Sequence, residues 1–391
     1  TSRPVALPSA AEGQAILQRS LERLDGLAAP AGSWEADVFP ARMNLYDPSW
    51  LDVMCVGGRA VWGRYTPPAP LSAVRSSAKR HSAGPVKTTP ITLAMRSNNE
   101  LWLKLAAVQA ANQQPGDIEL SACAEKIAAD LRQFGASFFA DISQRTGLLH
   151  SQLEQGLAEL VSSGLLSSDS FTGLRALLTP DARKPGGNSR RGRRATFGVE
   201  DAGRWSLLQT PATIEQQGLN EEQLERLLMI YLRRWGVLFR QVLERETAPP
   251  PWRTLLHALK RLELRGTIRG GRFIAGIGGE QFALPAAVAA LRESGRRINA
   301  VSQIDNWNEA KYIGLSAADP VNLLTVFLPE QKPGRAGRNR VLFKDGVPIA
   351  VLESDKVRFL RDVPEQHQWQ IQQLLMRRDT PPQLRRYLGS R

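Results

Sequence analysis

Two cysteines and four histidines are all that 391 residues offer as sulfur and imidazole ligands. Cys55, Cys123 and the histidines stand singly, with no CxxC or HxxxH spacing, so neither a disulfide framework nor a metal site is expected. Long apolar runs are missing as well. Leu101 to Ala111 is interrupted by Lys104, whereas a membrane span needs about 20 apolar residues. Neither an initiator methionine nor a signal-peptide pattern opens the chain, and we expect a piece of a larger cytoplasmic protein with reduced thiols. No GxxxxGK[ST] segment and no DExH-type sequence occurs, so ATP phosphates and Mg²⁺ have no motif to hold them and no cofactor is expected in this chain.

Acid is the other shortage. Lys and Arg number 51 against 38 Asp and Glu, a net charge of +13 that favours a polyanionic partner. Between Asp52 and Glu100 no acid occurs, while Arg59, Arg64, Arg75, Lys79, Arg80, Lys87 and Arg96 all do. A second acid-free run, RKPGGNSRRGRR from Arg183 to Arg194, carries Arg190, Arg191, Arg193 and Arg194 among glycine, proline and serine. A third is KPGRAGRNR, Lys332 to Arg340. A single such run is ordinarily solvated surface or linker; three in one chain point to nucleic acid.

Length exceeds what one core organises, and the periodicity divides the chain into four parts. Residues 1–98 carry an amphipathic helix over Glu12 to Leu27, a helix over Ser49 to Val56 capped by Asp47-Pro48, and strands at Ala60 to Tyr65 and Ile91 to Arg96. Helices followed by a hairpin make a winged helix. Residues 99–210 repeat the pattern: helices over Leu120 to Gly135, after Ser137, and over His150 to Ser163 precede a hairpin built from Leu165-Leu166 and Phe171 to Leu178 against Gly203 to Leu208, with a basic wing loop at 180–203. Residues 211–295 form the third copy, with helices over Glu221 to Trp235 and Trp252 to Leu264 and a wing at Thr267 to Gly276 that turns on its two glycines. In 296–391, strand-like runs at Lys311 to Leu315, Leu323 to Leu328, Arg340 to Phe343 and Pro348 to Leu352 suggest a small antiparallel β-barrel, followed by a helix over Glu365 to Arg378. The fold expected is α+β.

The three candidate recognition helices differ. Leu255, Leu256, Leu259 and Leu262 take the core side of the third, leaving Arg253, His257, Lys260 and Arg261 outward, a face suited to phosphates and base edges. The second turns Gln152, Glu154, Gln155 and Glu159 outward and is expected to face protein. The first, with Trp50, Leu51, Val53 and Met54, reads as buried packing. Candidate DNA contacts are therefore Arg64, Lys79, Arg80, Arg190, Arg191, Arg193, Arg194, Arg253, His257, Lys260, Arg269 and Arg272. Trp62, Trp205 and Phe273 fall on hairpins, where core packing competes with stacking on an unpaired base.

Several strings carry a resemblance: WEADVFPARM, YDPSWLD, GGRAVWGR, GASFFADI, ELVSSGLLSSDSFTGLRALL, GRWSLL, GGRFIAGIGGEQFALP, LSAADPVNLLTVFLP and RNRVLFKDGVPIAVLE, in order from Trp34 to Glu353. Together they resemble the C-terminal region of the large helicase-related protein (Lhr) family. The resemblance implies a parent that is an ATP-dependent DNA repair helicase, whose motor, with its ATP and Mg²⁺, lies outside this chain. It also implies tandem winged-helix modules and a β-barrel similar to AlkZ-type DNA glycosylases. The partners implied are single-stranded or forked DNA, the parent's N-terminal helicase core and further copies in a homo-oligomer; the place implied is a bacterial, nucleoid-associated cytoplasm.

Some family members are associated with uracil-DNA glycosylase activity, so a base-excision site was sought. Gln-x-Gln or Gln-x-Asp matches occur at Gln303 to Asp305, Gln366 to Gln368 and Gln370 to Gln372. They lie in or after the expected barrel rather than in an N-terminal module, which makes Asp305, Gln366 and Gln370 weak catalytic candidates. Asp319, Asp345 and Asp355 read as turn formers beside Pro, Gly and Ser. The expectation is a DNA-binding accessory region, with an embedded uracil glycosylase or an oligomerisation module as alternatives.

Overall fold

A computed structural model of the 391-residue chain describes residues 9–43, 45–66, 87–112, 120–179, 198–208, 218–300, 307, 310–328, 330, 334, 339–377 and 381–388. The chain divides into two compact units, Thr1–Gly218 with Asp379–Arg391, and Leu219–Arg378.

In the first unit, α1 (Ala10–Leu24) starts in a capping box between Ser9 and Glu12 and buries Leu17, Leu21 and Leu24. Strand β1 (Ala28–Pro30) follows. Helix α2 (Pro48–Val56) is capped by Asp47, whose carboxylate accepts the Ser49 N–H, with proline at the first helical position as the sequence indicates. Strands β2 (Ala60–Gly63) and β3 (Pro90–Met95) come next among the described residues. They pair antiparallel, and β1 adds to the far side of β3, giving the order β1-β3-β2. Helix α3 (Asn99–Asn112) is tied back by buried Asp25, which accepts the Trp102 Nε1–H at 2.9 Å and the Met95 N–H at 2.9 Å.

The second module runs α4 (Ala122–Phe134), β4 (Ser137–Phe138), α5 (Phe139–Thr146), α6 (His150–Ser162) and β5 (Leu166–Ser168), then α7 (Phe171–Leu178) and β6 (Arg204–Leu207). Its sheet reads β4-β6-β5. Two local expectations are corrected here. Ser137 lies in a strand rather than capping a helix. Phe171 to Leu178 is a helix: Phe171, Leu174 and Leu178 recur at helical spacing on its buried side, and a short apolar run leaves helix and strand undistinguished until its packing is known. The hairpin is therefore β5 with β6, and α7 is inserted before the basic loop.

The second unit opens on α8 (Glu221–Trp235), capped by Asn220 with Gln223 completing the box. Then come β7 (Val237–Leu238), α9 (Trp252–Leu264), β8 (Arg269–Gly271) and β9 (Gln281–Ala283). The sheet order is β7-β9-β8. All three modules thus place their first strand beside their third, one winged-helix topology used three times. The third wing is longer than expected: Gly270 and Gly271 lie inside β8, paired with Phe282 and Gln281, so the reversal falls beyond them.

Helix α10 (Pro285–Ala300) runs through the boundary expected between residues 295 and 296. Strand β10 (Tyr312–Ser316), the helical turn α11 (Leu324–Phe327), and strands β11 (Arg340–Lys344), β12 (Val347–Glu353) and β13 (Lys356–Phe359) follow. The strands form an open sheet, β10-β11-β12-β13. The expected barrel is not closed, because β10 and β13 remain opposite edges, and Leu323 to Leu328 supplies a helical turn instead of a strand. Helix α12 (Glu365–Met376) buries Ile371 and Leu375 in the cluster of Trp307, Leu342, Ile349 and Leu352 on this sheet. The last helix, α13 (Arg385–Leu388), belongs with the first unit, where the Tyr387 hydroxyl donates to the Ala31 carbonyl. No helix among the described residues is long and apolar enough to cross a membrane.

Candidate nucleic-acid interface

The first and second modules are joined through a buried charge network. Arg175 of α7 donates Nε and Nη2 to the two carboxylate oxygens of Glu35 at 2.8 Å each, Nη1 to Asp52 of α2, and Nη2 again to the Pro48 carbonyl at 3.1 Å. Arg175 and Glu35 are fully buried. Tyr46 donates its hydroxyl to Glu35 at 2.6 Å, and Asp52 accepts the Thr172 N–H at 3.0 Å. Burial works against the Arg175 charge, but the Glu35 carboxylate and its hydrogen bonds, with Asp52, outweigh it and hold the pKa well above the ordinary arginine value. Burial among these charges also pushes the Cys55 thiol up to about 12, so it packs as an inert group.

Helix α2 is therefore covered. Trp50, Leu51 and Met54 are buried as the reading of this helix as packing expects, with Cys55 beside them, and Asp52 is engaged by α7, but Val53 is 46% exposed and does not pack. Nearby, Trp62 is fully buried and donates to the Ser170 carbonyl, and Trp205 is fully buried, so both are core residues rather than stacking platforms. Gly164 (φ +78°) lets the two modules approach: a Cβ there would lie 2.7 Å from the Arg64 carbonyl oxygen. Arg64 itself donates to the Thr66 and Ser162 carbonyls, and burial lowers its pKa. It is committed to this junction, which removes it from the exposed cationic set proposed from sequence.

In α6, the second recognition helix, Gln152 and Gln155 are exposed and Glu154 is half-buried. Glu159 corrects the reading of an outward acid. It is buried and accepts the Ser121 N–H at 2.8 Å and the Ser121 hydroxyl at 2.6 Å, anchoring the start of α4.

The third recognition helix differs from both. Leu255, Ala258, Leu259 and Leu262 of α9 are buried against its module, and Arg253, His257 and Lys260 are exposed. Arg269 of β8 and Arg272 just beyond it are exposed too. Lys260 has a carboxylate neighbour, Glu280, at 3.0 Å, while Arg261 and Arg265 are paired with Glu221 and Glu225 of α8. These pairs fasten α9 to α8 and leave Arg253, Arg269 and Arg272 without an ion pair among the described residues. A cavity of about 340 Å³ opens at the start of α9, lined by Leu219, Glu221, Leu224, Arg253, Thr254, His257, Ala258 and Arg261. Sequence reasoning found its Arg253-His257-Arg261 stripe by the four-residue spacing, but not the α8 wall, which only packing brings alongside.

Lys79, Arg80, Arg190, Arg191, Arg193, Arg194 and Asp305 lie outside the described residues. Gln366 and Gln370 are exposed on α12. Residues two apart on a helix point about 200° apart, so neither Gln-x-Gln pair converges on one water, and Gln368 instead donates to the Val363 carbonyl. Asp319 accepts the Val321 N–H, Asp345 accepts the Lys311 N–H, and Asp345 and Asp355 have positive φ, all turn roles as expected. Among the described residues no group of three His, Cys, Asp or Glu could hold a metal ion.

Family models described as the winged-helix domain of the large helicase-related protein match residues 2–76 and 217–302, within the first and third modules. The chain is 28% identical over 347 residues to the Lhr helicase/uracil glycosylase of Escherichia coli strain K12, covering 82% of this chain and 20% of that protein. It is 27% identical over 366 residues to the Lhr helicase/probable uracil glycosylase of Mycolicibacterium smegmatis strain ATCC 700084 / mc(2)155, covering 85% of this chain and 21% of that one. The chain thus spans about a fifth of the length of these relatives. Two matched modules, a third of identical strand order between them and the two long alignments converge: residues 2–76 and 217–302 match winged-helix domains of the large helicase-related protein family, and the chain as a whole is similar to the C-terminal region of that family.

Proposed function

We propose that this chain is a DNA-binding accessory region of a DNA repair helicase, engaging single-stranded or forked DNA through the third recognition helix and the basic wings. The observation that carries the reading is the exposed set Arg253, His257, Lys260, Arg269 and Arg272 on α9 and its wing, in a module where the leucines already supply the core. The wing residues Lys79, Arg80, Arg190, Arg191, Arg193 and Arg194 extend the same reading. ATP and Mg²⁺ belong to a motor that this sequence does not carry, and the helicase core and further copies of the chain are its proposed partners near the nucleoid. The test is fluorescence anisotropy of a labelled fork between about 50 and 200 mM salt. The logarithm of affinity is expected to fall linearly with that of salt, by roughly 0.7 to 0.9 for each phosphate neutralised. Salt-independent association would point to a protein-assembly module instead.

The names of the two relatives favour a second reading, an embedded uracil glycosylase. Such chemistry needs a carboxylate or amide positioned on the attacking water. The assay is incubation with uracil-containing single-stranded and forked DNA followed by alkaline cleavage of abasic sites, comparing Asp305→Ala, Gln366→Ala and Gln370→Ala with the parent chain. The exposed, diverging glutamines of α12 are expected to be dispensable. Excision abolished by either glutamine change, with binding intact, contradicts that expectation.

A further inference from the structure

A helix that only lays its face on a duplex needs no cavity, yet α9 opens one beside its first turns. Its volume, about 340 Å³, sits at the lower end of the roughly 300 to 1,000 Å³ typical of small-ligand sites, and it is open to solvent on one side. One wall is apolar, from Leu219, Leu224 and Ala258. Arg253, Thr254, His257 and Arg261 of α9 also line it. The one carboxylate in the lining, Glu221, is bound to Arg261, and the Arg261 Nε is buried with no acceptor among the described residues. The lining therefore combines apolar side chains with an excess of positive charge and one hydroxyl that both donates and accepts.

We infer that this cavity receives a single unpaired nucleotide of the bound DNA. The base lies against Leu219, Leu224 and Ala258, Thr254 meets its polar edge, and Arg253 and His257 hold the adjoining phosphate. An unpaired nucleotide enters without the cost of breaking a base pair, so the cavity selects DNA that already contains one. The inference rests on the reading of α9 as the DNA-facing helix.

The experiment compares a fully paired duplex with the same duplex carrying one extrahelical nucleotide, using the full chain and Thr254→Trp. Thr254 is exposed, so the larger ring can fill the cavity without displacing the core. The parent chain is expected to prefer the bulged duplex by about tenfold, the worth of one well-packed base. Thr254→Trp is expected to erase that preference while binding paired DNA unchanged. In a second measurement, a free deoxynucleoside 5′-monophosphate should lower the affinity for the bulged duplex to that for the paired one and leave binding of the paired duplex unchanged. No preference in the parent chain, or a preference that survives Thr254→Trp, overturns the inference while the DNA-facing role of α9 stands. If neither DNA binds, or binding to both is indifferent to charge reversal on α9, the underlying reading fails instead.

Discussion

Replacing Arg175 with alanine is expected to destabilise the first unit by about 3 to 5 kcal/mol, the cost of leaving a buried ionic partner without its counter-charge. Glu35 is fully buried and has both carboxylate oxygens on the Arg175 guanidinium. Without it the carboxylate keeps the Tyr46 hydroxyl but no cation, and the Pro48 carbonyl and Asp52 lose a donor. The loss reads out as a lower urea midpoint for the first unit. Replacing Glu35 with leucine together with Arg175 with methionine is expected to recover much of the loss, since apolar residues of similar volume carry no desolvation cost. A loss below about 1 kcal/mol for Arg175→Ala, the value of an exposed pair, would show that water reaches the network.

Charge reversal on the third module should have the largest effect on binding. In the triple variant Arg253→Glu, Arg269→Glu, Arg272→Glu, the exposed side chains without a carboxylate neighbour become acidic at once. Each lost phosphate contact is expected to reduce the salt slope by about one and weaken binding evenly across sequences. The triple variant should therefore lose about two to three from the slope if all three touch phosphate. Glu154→Ala on α6 serves as the matched control and is expected to leave affinity unchanged. None of the three arginines packs into the core, so circular dichroism should report an unaltered fold. An unchanged slope would move the interface to the wings of the first unit.

Much of this was legible because it is local. The Asp47-Pro48 cap satisfies its helix end with a residue two positions away, and such a signal is written in adjacent letters. The leucine spacing of α9 likewise separates its buried side from Arg253, His257 and Lys260 without reference to any other element. Phe171 to Leu178 was misread for the opposite reason: eight residues of mixed apolar character fit either period, and the deciding partner, α2, lies more than a hundred residues upstream. Glu159 looked outward on periodicity alone; its partner, Ser121, caps a different helix, α4.

By itself, then, the sequence determined three modules of helices and short strands and the cationic face of α9, since each follows from spacing within one segment. Tertiary structure alone decided which recognition helix stays open. Arg175 reaches across 140 positions to Glu35 and closes α7 over α2, Arg64 is drawn into the junction by the Ser162 carbonyl, and the C-terminal strands stop as an open sheet because β10 and β13 do not pair. Hydrogen bonds and ion pairs at such separations depend on where the whole chain places their partners, and no local period of hydrophobicity or charge encodes that placement.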